Sequence, residues 1–260
     1  MNEIGSSNEK LYLVQQNPFR RVSTKPTVNP HVSCDCVVFG FDNEKLNVLL
    51  IEQSYERLGD KVQNALPGDH VWEEESLDQA AGRVLKELTN LDGIFLKQFK
   101  TFGDPDRLRN PKDLAWLESY RKKPATRVVT VAYYAFVRMD DFEPAASSFA
   151  EKVFWQDVQD IPQLGFDHNE IMEEAIEVLR RDFEVYQVGL ELLPEKFTLS
   201  QLQNLYEIIL NRKLDKRNFR KKVIKERVVT PLDEKQKGVL HKPAQLFELN
   251  AANDPSGLRS

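Results

Sequence analysis

Residues 66–91, LPGDHVWEEESLDQAAGRVLKELTNL, decide the fold. Pro67-Gly68 opens a turn, Glu73-Glu74-Glu75 makes its end acidic, and Ser76 stands before a run of apolar residues at three- and four-residue steps. That run (Leu77, Ala80, Ala81, Val84, Leu85, Leu88, Leu91) is the periodicity of a helix with one buried face. Ser76 is its expected N-cap, because a serine oxygen accepts from the unpaired amides of a first helical turn.

The stretch resembles the Nudix box of nucleoside-diphosphate hydrolases, a loop-helix-loop of Gly, five residues, Glu, seven residues, Arg-Glu-apolar, one residue, Glu-Glu, one residue, Gly-apolar. Glu75, Arg83, Leu85, Glu87 and Leu91 fall on the pattern; Asp69, Val84, Leu88 and Asn90 depart from it. The resemblance implies a helix face crowded with carboxylates, because Mg²⁺ bound to a diphosphate takes hard oxygen ligands. Positions 84, 87 and 88 form one cluster on a helix, and a Val and a Leu cannot ligate magnesium. Glu73 and Glu74 precede the helix and lie about two turns from the vacant positions. The expectation is a retained scaffold with no catalytic residues, no metal site and no cofactor.

Outward from the box, the chain has 260 residues, 41% hydrophobic and 30% charged, enough for one large or two modest domains. No apolar run approaches the roughly 20 residues that cross a bilayer, and MNEIGSSNEK lacks a signal-peptide layout, so a cytoplasmic protein with no membrane partner is expected. Cys34 and Cys36 are one residue apart on an expected strand. They share a face, where a disulfide between them is strained, and read as reduced core thiols. The net charge of −5 argues against nucleic acid, but its distribution does not. Residues 211–227 hold nine Lys and Arg against Asp215 and Glu226, an acidic body with a basic patch.

Taken in order, residues 1–30 read as a flexible segment with one short strand near residues 11–14. Strands are expected at 31–41 and 45–52 around the turn Asp42-Asn43-Glu44. A polar loop at 55–64 leads to the box, and a strand at 94–102 follows it. Residues 108–124 read as an insertion with a short helix at 112–121. Strands at 126–138 and 152–155 and a helix at 166–183 complete an α+β domain over 31–186. Gly189 and Pro194 mark a linker at 187–196. Over 197–250, Thr198 caps a helix to about 210 and Asp215 caps a basic second helix. Apolar runs at 227–232 and 245–249 then flank a basic loop. Helix, turn, basic helix and hairpin in that order describe a winged helix-turn-helix. Residues 251–260 read as a tail.

Two constellations carry chemistry. On the basic helix Phe219 and Val223 face inward, leaving Lys216, Arg217, Asn218, Arg220, Lys221 and Lys225 outside, with Lys237 and Lys242 on the loop beyond. Asn218 suits adenine and Arg217 or Arg220 guanine, while the other bases suit phosphates. A solvated charged face is the plain alternative, opposed by the scarcity of interspersed acids. For a small effector, Asp104, Asp106, Arg107 and Arg127 are expected to converge, with Tyr133 on the adjoining strand and Asp167-His168 at a helix start, where the pair can also be no more than the helix cap. Paired arginines hold phosphate, and carboxylates and a tyrosine suit sugar hydroxyls; the plain alternative is an Asp-Arg pair that ties down a turn.

From about residue 30 the chain resembles the bacterial Nudix-related transcriptional regulators. FDHNEIMEEA (166–175), GLELLPEKFTLSQLQNLYE (189–207) and LDKRNFRKKV (214–223) place it nearest the arabinose-responsive repressors of Bacteroidetes. The resemblance implies a Nudix-fold α/β/α sandwich with a mixed sheet, plus a winged helix. It also implies a homodimer on a palindromic double-stranded DNA operator, and an effector, either a pentose such as arabinose or an ADP-ribose-like compound, that lowers DNA affinity. The alternative is an active Mg-dependent Nudix hydrolase of nucleoside-diphosphate derivatives with a C-terminal regulatory module. Glu75, Arg83 and Glu87 favour it; Val84 and Leu88 oppose it.

Overall fold

The computed structural model describes residues 26–55, 61–108, 110–120, 127–186, 188–238 and 242–250. The strand suggested near residues 11–14 and the tail at 251–260 lie outside them. The domain is built on β1 (Val28–Phe41), whose residues are buried on both faces from Ser33 onward. It pairs antiparallel with β2 (Leu46–Tyr55) and with β4 (Gly68–Trp72), and parallel with β6 (Val129–Arg138). β3 (Lys61–Ala65) and β7 (Lys152–Asp157) add to β2, and β5 (Lys97–Phe102) adds to β6. The result is a seven-stranded mixed sheet with a path β3-β2-β1-β6-β5. A strand with apolar side chains in both directions requires a layer on each side. α1 (Leu77–Thr89) covers one and α3 (His168–Tyr186) the other.

α1 begins where the sequence places it. Ser76 accepts from the Gln79 amide and the Gln79 side chain returns to the Ser76 amide, a closed capping box. Asn90 ends the helix in the left-handed conformation, a geometry that asparagine tolerates. Cys34 and Cys36 are free and buried against this helix, their Sγ atoms donating to the carbonyls of Leu77 and Ala81 at 3.7 Å. Burial pushes the Cys34 thiol up to about 12, so it stays protonated.

Three expectations need correction. The polar loop expected before the box contains β3, a strand at the end of the sheet path that is held by its ladder to β2 and leaves Val62 exposed, so it shows no apolar alternation. The acidic turn contains β4, a short strand held by its ladder to β1. The stretch expected as a linker at 187–196 is packed over its described residues, 188–196: Leu190, Leu192 and Leu193 are buried in a 3-10 turn, Leu190–Leu192, and its exit. Gly189 and Pro194 do mark turns, but three leucines between them belong to the main core. That core runs without a break from Val37, Phe39 and Phe183 to Leu202, Phe219 and Val223.

The C-terminal part is α4 (Leu199–Ile209), α5 (Lys216–Lys225) and the antiparallel pair β8 (Val229–Lys235) and β9 (Gln245–Leu249). Thr198 and Gln201 close a second capping box, and Asp215 accepts from the Asn218 amide to start α5. Asn43, at φ 74 in the β1–β2 turn, accepts from Gln201 and Asn204 at 2.8 and 2.9 Å and fastens the sheet to α4. Among the described residues no helix is long and apolar enough to cross a membrane.

Candidate functional site

The insertion supplies α2 (Pro111–Tyr120), which starts on a proline, as a first helical position allows. Asp113 on its first turn is buried and accepts from Gln63 Nε2 at 2.8 Å. Leu108 and Leu117 pack with Val128 and Phe166. The insertion thereby forms one wall of a cleft whose floor is Ser33, Asp35, Leu66 and Gly68.

Asp35 is the centre of that cleft, buried to 4% exposure. Its Oδ2 accepts from Thr130 Oγ1 at 2.7 Å and lies 3.7 Å from Arg107 Nη2. Its Oδ1 lies 3.5 Å from His168 Nε2, and the Leu66 amide donates to His168 Nδ1 at 3.0 Å. With Nδ1 accepting, the ring proton sits on Nε2, toward the carboxylate. Burial alone would raise the Asp35 pKa, but His168, Arg107 and Thr130 together hold it below the usual carboxylate value. A side chain at position 68 would meet Asp35 Oδ1 at 1.9 Å, so only glycine fits there. Arg107 also forks onto Asp167, with 2.8 Å from both Nε and Nη2. Phe166 takes a left-handed φ of 56, which is costly for an aromatic residue, and brings its ring 5.2 Å from that of His168.

Of the expected effector residues, Arg107 and His168 line this cleft, while Asp104, Arg127 and Tyr133 do not. Asp104 is exposed in its turn, accepting from the Asp106 and Arg107 amides. Arg127 is exposed and donates to the Gly103 carbonyl at 3.2 Å. Tyr133 points to the opposite sheet face and donates to Asp78 on α1 at 2.8 Å. Its spacing from Val131 is right, but β6 has two buried faces and Thr130, not Tyr133, shares the face of Asp35. Asp35 itself was readable: it is a lone carboxylate between two cysteines in an apolar strand, and such residues are buried only when paired.

The box residues form a different structure. Arg83 donates to Glu75 at 2.9 and 2.6 Å, to Glu87 at 3.1 Å and to the His70 carbonyl at 2.9 Å, and its guanidinium stacks 3.9 Å from the Trp72 ring. Val84 and Leu88 are buried in a small core with Ile51, Ala65 and Ala150. Each such side chain stabilises the fold by about 2 kcal/mol. The positions where the box pattern carries carboxylates are thus filled with hydrocarbon, and the two remaining acids are engaged by an arginine. These residues do not fit Mg²⁺. Among the described residues no group of three His, Cys, Asp or Glu side chains is placed to hold a metal.

The second surface is α5. Phe219 and Val223 are buried, while Lys216, Arg217, Asn218, Lys221 and Lys225 are exposed. Among the described residues none of these four bases is paired with a carboxylate. Arg220 departs from the expected role: it is half-buried and turned toward Ser200 at the start of α4, 3.4 Å away. Lys237 and Lys242 are exposed between β8 and β9.

Residues 189–249 match the family model of the NrtR DNA-binding winged helix domain. Over 94% of its length the chain is 29% identical to the ADPR-responsive transcriptional repressor NtrR of Acinetobacter baylyi, covering 89% of that protein. It is similar to Shewanella oneidensis NrtR in its complex with a 27mer DNA, at 26% identity and a TM-score of 0.62, over 85% of this chain and 94% of that one. A MutT/nudix family protein from Enterococcus faecalis shares the fold, at 23% identity and a TM-score of 0.62, over 91% and 90% of the two chains. The chain is thus similar to these NrtR proteins over most of its length, and it shares their arrangement of a Nudix-fold α/β domain followed by a winged helix domain that matches the NrtR DNA-binding model.

Proposed function

We propose that this chain is a ligand-responsive transcriptional repressor of the cytoplasm, in which a catalytically silent Nudix-fold domain senses a small effector and the winged helix holds operator DNA. The observation that carries the reading is the outer face of α5: exposed bases without carboxylate partners among the described residues, on a helix whose inner face is locked into the core. A salt-paired face would be a solvated surface; an unpaired one is a site for phosphates and base edges. A homodimer would set two such helices into successive major grooves of a palindromic operator, about one turn apart.

The effector is an ADP-ribose-like compound, the class named for the Acinetobacter baylyi relative. Its seat is the Asp35 cleft, where Arg107, His168 and Asp69 offer both donors and acceptors. The free space there is about 50 Å³, room for a water or two. An effector seated there would press on the wall of Leu108, Leu117 and Phe166, and Asp167 and His168 connect that wall to α3. Effector and operator then favour different arrangements, which is the requirement for coupling between two sites.

A second effector class, a neutral pentose such as arabinose, is favoured by one feature. Asp35, Asp69 and Asp167 outnumber Arg107 around the cleft, and carboxylates accept from hydroxyls but repel phosphates. Isothermal titration with ADP-ribose, ribose and arabinose separates the two. Heat with ADP-ribose alone supports the first reading, and heat with a free pentose supports the second. The DNA reading is tested by selecting bound sequences from a random pool: recovery of a two-fold symmetric motif supports it, and recovery of random sequence refutes it.

A further inference from the structure

The outward line of α5 is not uniformly polar. Arg217, Lys221 and Ile224 follow at steps of four and three, opposite the buried Phe219 and Val223. Ile224 is 55% exposed, and among the described residues of the winged helix it is the one large apolar side chain so exposed. A β-branched residue is a poor choice for a free helix surface, because it loses χ1 freedom and gives no polar group to water. We propose that Ile224 is a specificity residue that reads the 5-methyl group of thymine in the operator.

The inference rests on the reading of α5 as the operator-binding helix. From Arg217 to Ile224 the line runs roughly 10 Å, close to the major groove's width of about 12 Å. A helix lying there presents all three side chains to base edges. Thymine's methyl is the one apolar group that a base pair offers in that groove. Lys225, next to Ile224 and off that line, is long enough to reach a phosphate at the groove's edge. A second copy of the chain is the poorer occupant. Two α5 helices packed face to face would oppose Arg217, Lys221 and Lys225 to their own copies, a like-charge arrangement that costs association. A polyanion with one buried methyl suits the same surface without conflict.

The test uses the full chain and an operator recovered by selection. Each thymine is replaced in turn by deoxyuridine, which removes the methyl and nothing else, and affinity is measured by anisotropy at fixed salt. The parent is expected to lose about three- to fivefold at one thymine position per half-site, the value of one buried methyl. Ile224→Ala is expected to show no further loss at that position while keeping the parent's salt dependence. The proposal is overturned if no thymine position is sensitive in the parent, if Ile224→Ala keeps the parent's sensitivity, or if Ile224→Ala alters only the oligomeric state. Arg217→Ala is run alongside. Normal affinity in that variant would overturn the placement of α5 itself, an outcome separate from failure at Ile224.

Discussion

Glu75 and Arg83 are joined by two parallel hydrogen bonds of 2.9 and 2.6 Å, with both side chains nearly closed to water at 10% and 11% exposure. The pair ties the turn before α1 to the middle of the helix. Arg83→Ala leaves Glu75 partly buried without its cation, and is expected to lower stability by about 3 kcal/mol in urea unfolding. The parent with ADP-ribose and Mg²⁺ is expected to release no AMP or ribose phosphate. Sustained release would contradict the account of Val84 and Leu88 as core residues.

Asp35 links stability to pH. Its folded pKa is lowered, so its contribution is complete above the unfolded value, about 4 for aspartate, and fades as pH falls through the folded one. The urea midpoint of the parent should drop on acidification below that value, and Asp35→Asn should be less stable at pH 7 with a shallower acid limb. An unchanged limb would mean that the His168 and Arg107 interactions do not hold the charge.

Arg107 is the neighbour of both Asp35 and Asp167, and Asp167→Asn loosens its grip while keeping the shape of the side chain. The effector concentration needed to release operator is expected to rise about tenfold, with operator affinity in the absence of effector within twofold of the parent. Titrations with and without effector measure both quantities. Equal effector sensitivity in variant and parent would place the effector elsewhere.

Tyr206 stands between Phe183 of α3 and Phe219 of α5, with ring centroids 4.6 and 5.1 Å away. Tyr206→Ala opens a cavity between the two parts and is expected to cost about 3–5 kcal/mol. Calorimetry should change from one transition to two. Tyr206→Phe keeps the ring and should unfold as the parent does. A single transition in the alanine variant would show that the aromatic chain is not what unites the core.

How much of this was readable depends on how local each cause is. Ser76, Thr198 and Asp215 marked their helices because a cap acts on amides two or three residues away. Phe219 and Val223 gave the inner face of α5 by periodicity alone, and the basic outer face followed. β3 and β4 were not readable, since short strands are held by partners distant in the chain. The same holds for Leu190, Leu192 and Leu193, whose packing turned an expected linker into core. Of the side chains singled out by residue type, Arg107 and His168 lie at the cleft. Tyr133 lies on the face away from the cleft, because alternation tells which residues share a face of β6, not which of two buried faces holds the cleft. Asp35 carries a signal of its own, an aspartate in an apolar strand. Periodicity puts Arg220 on the basic face of α5, and only the packing of α4 on α5 reveals its turn toward Ser200.

The central claim is that effector and operator are coupled through one chain. Its most direct test is an anisotropy titration of the full protein against its selected operator at stated salt, without effector and with ADP-ribose, ribose or arabinose, beside Arg217→Ala. The account gives tight, sequence-dependent binding that ADP-ribose or a pentose weakens at least tenfold, and little binding by the variant. Operator affinity unchanged by every such compound, or retained in full by Arg217→Ala, would contradict it.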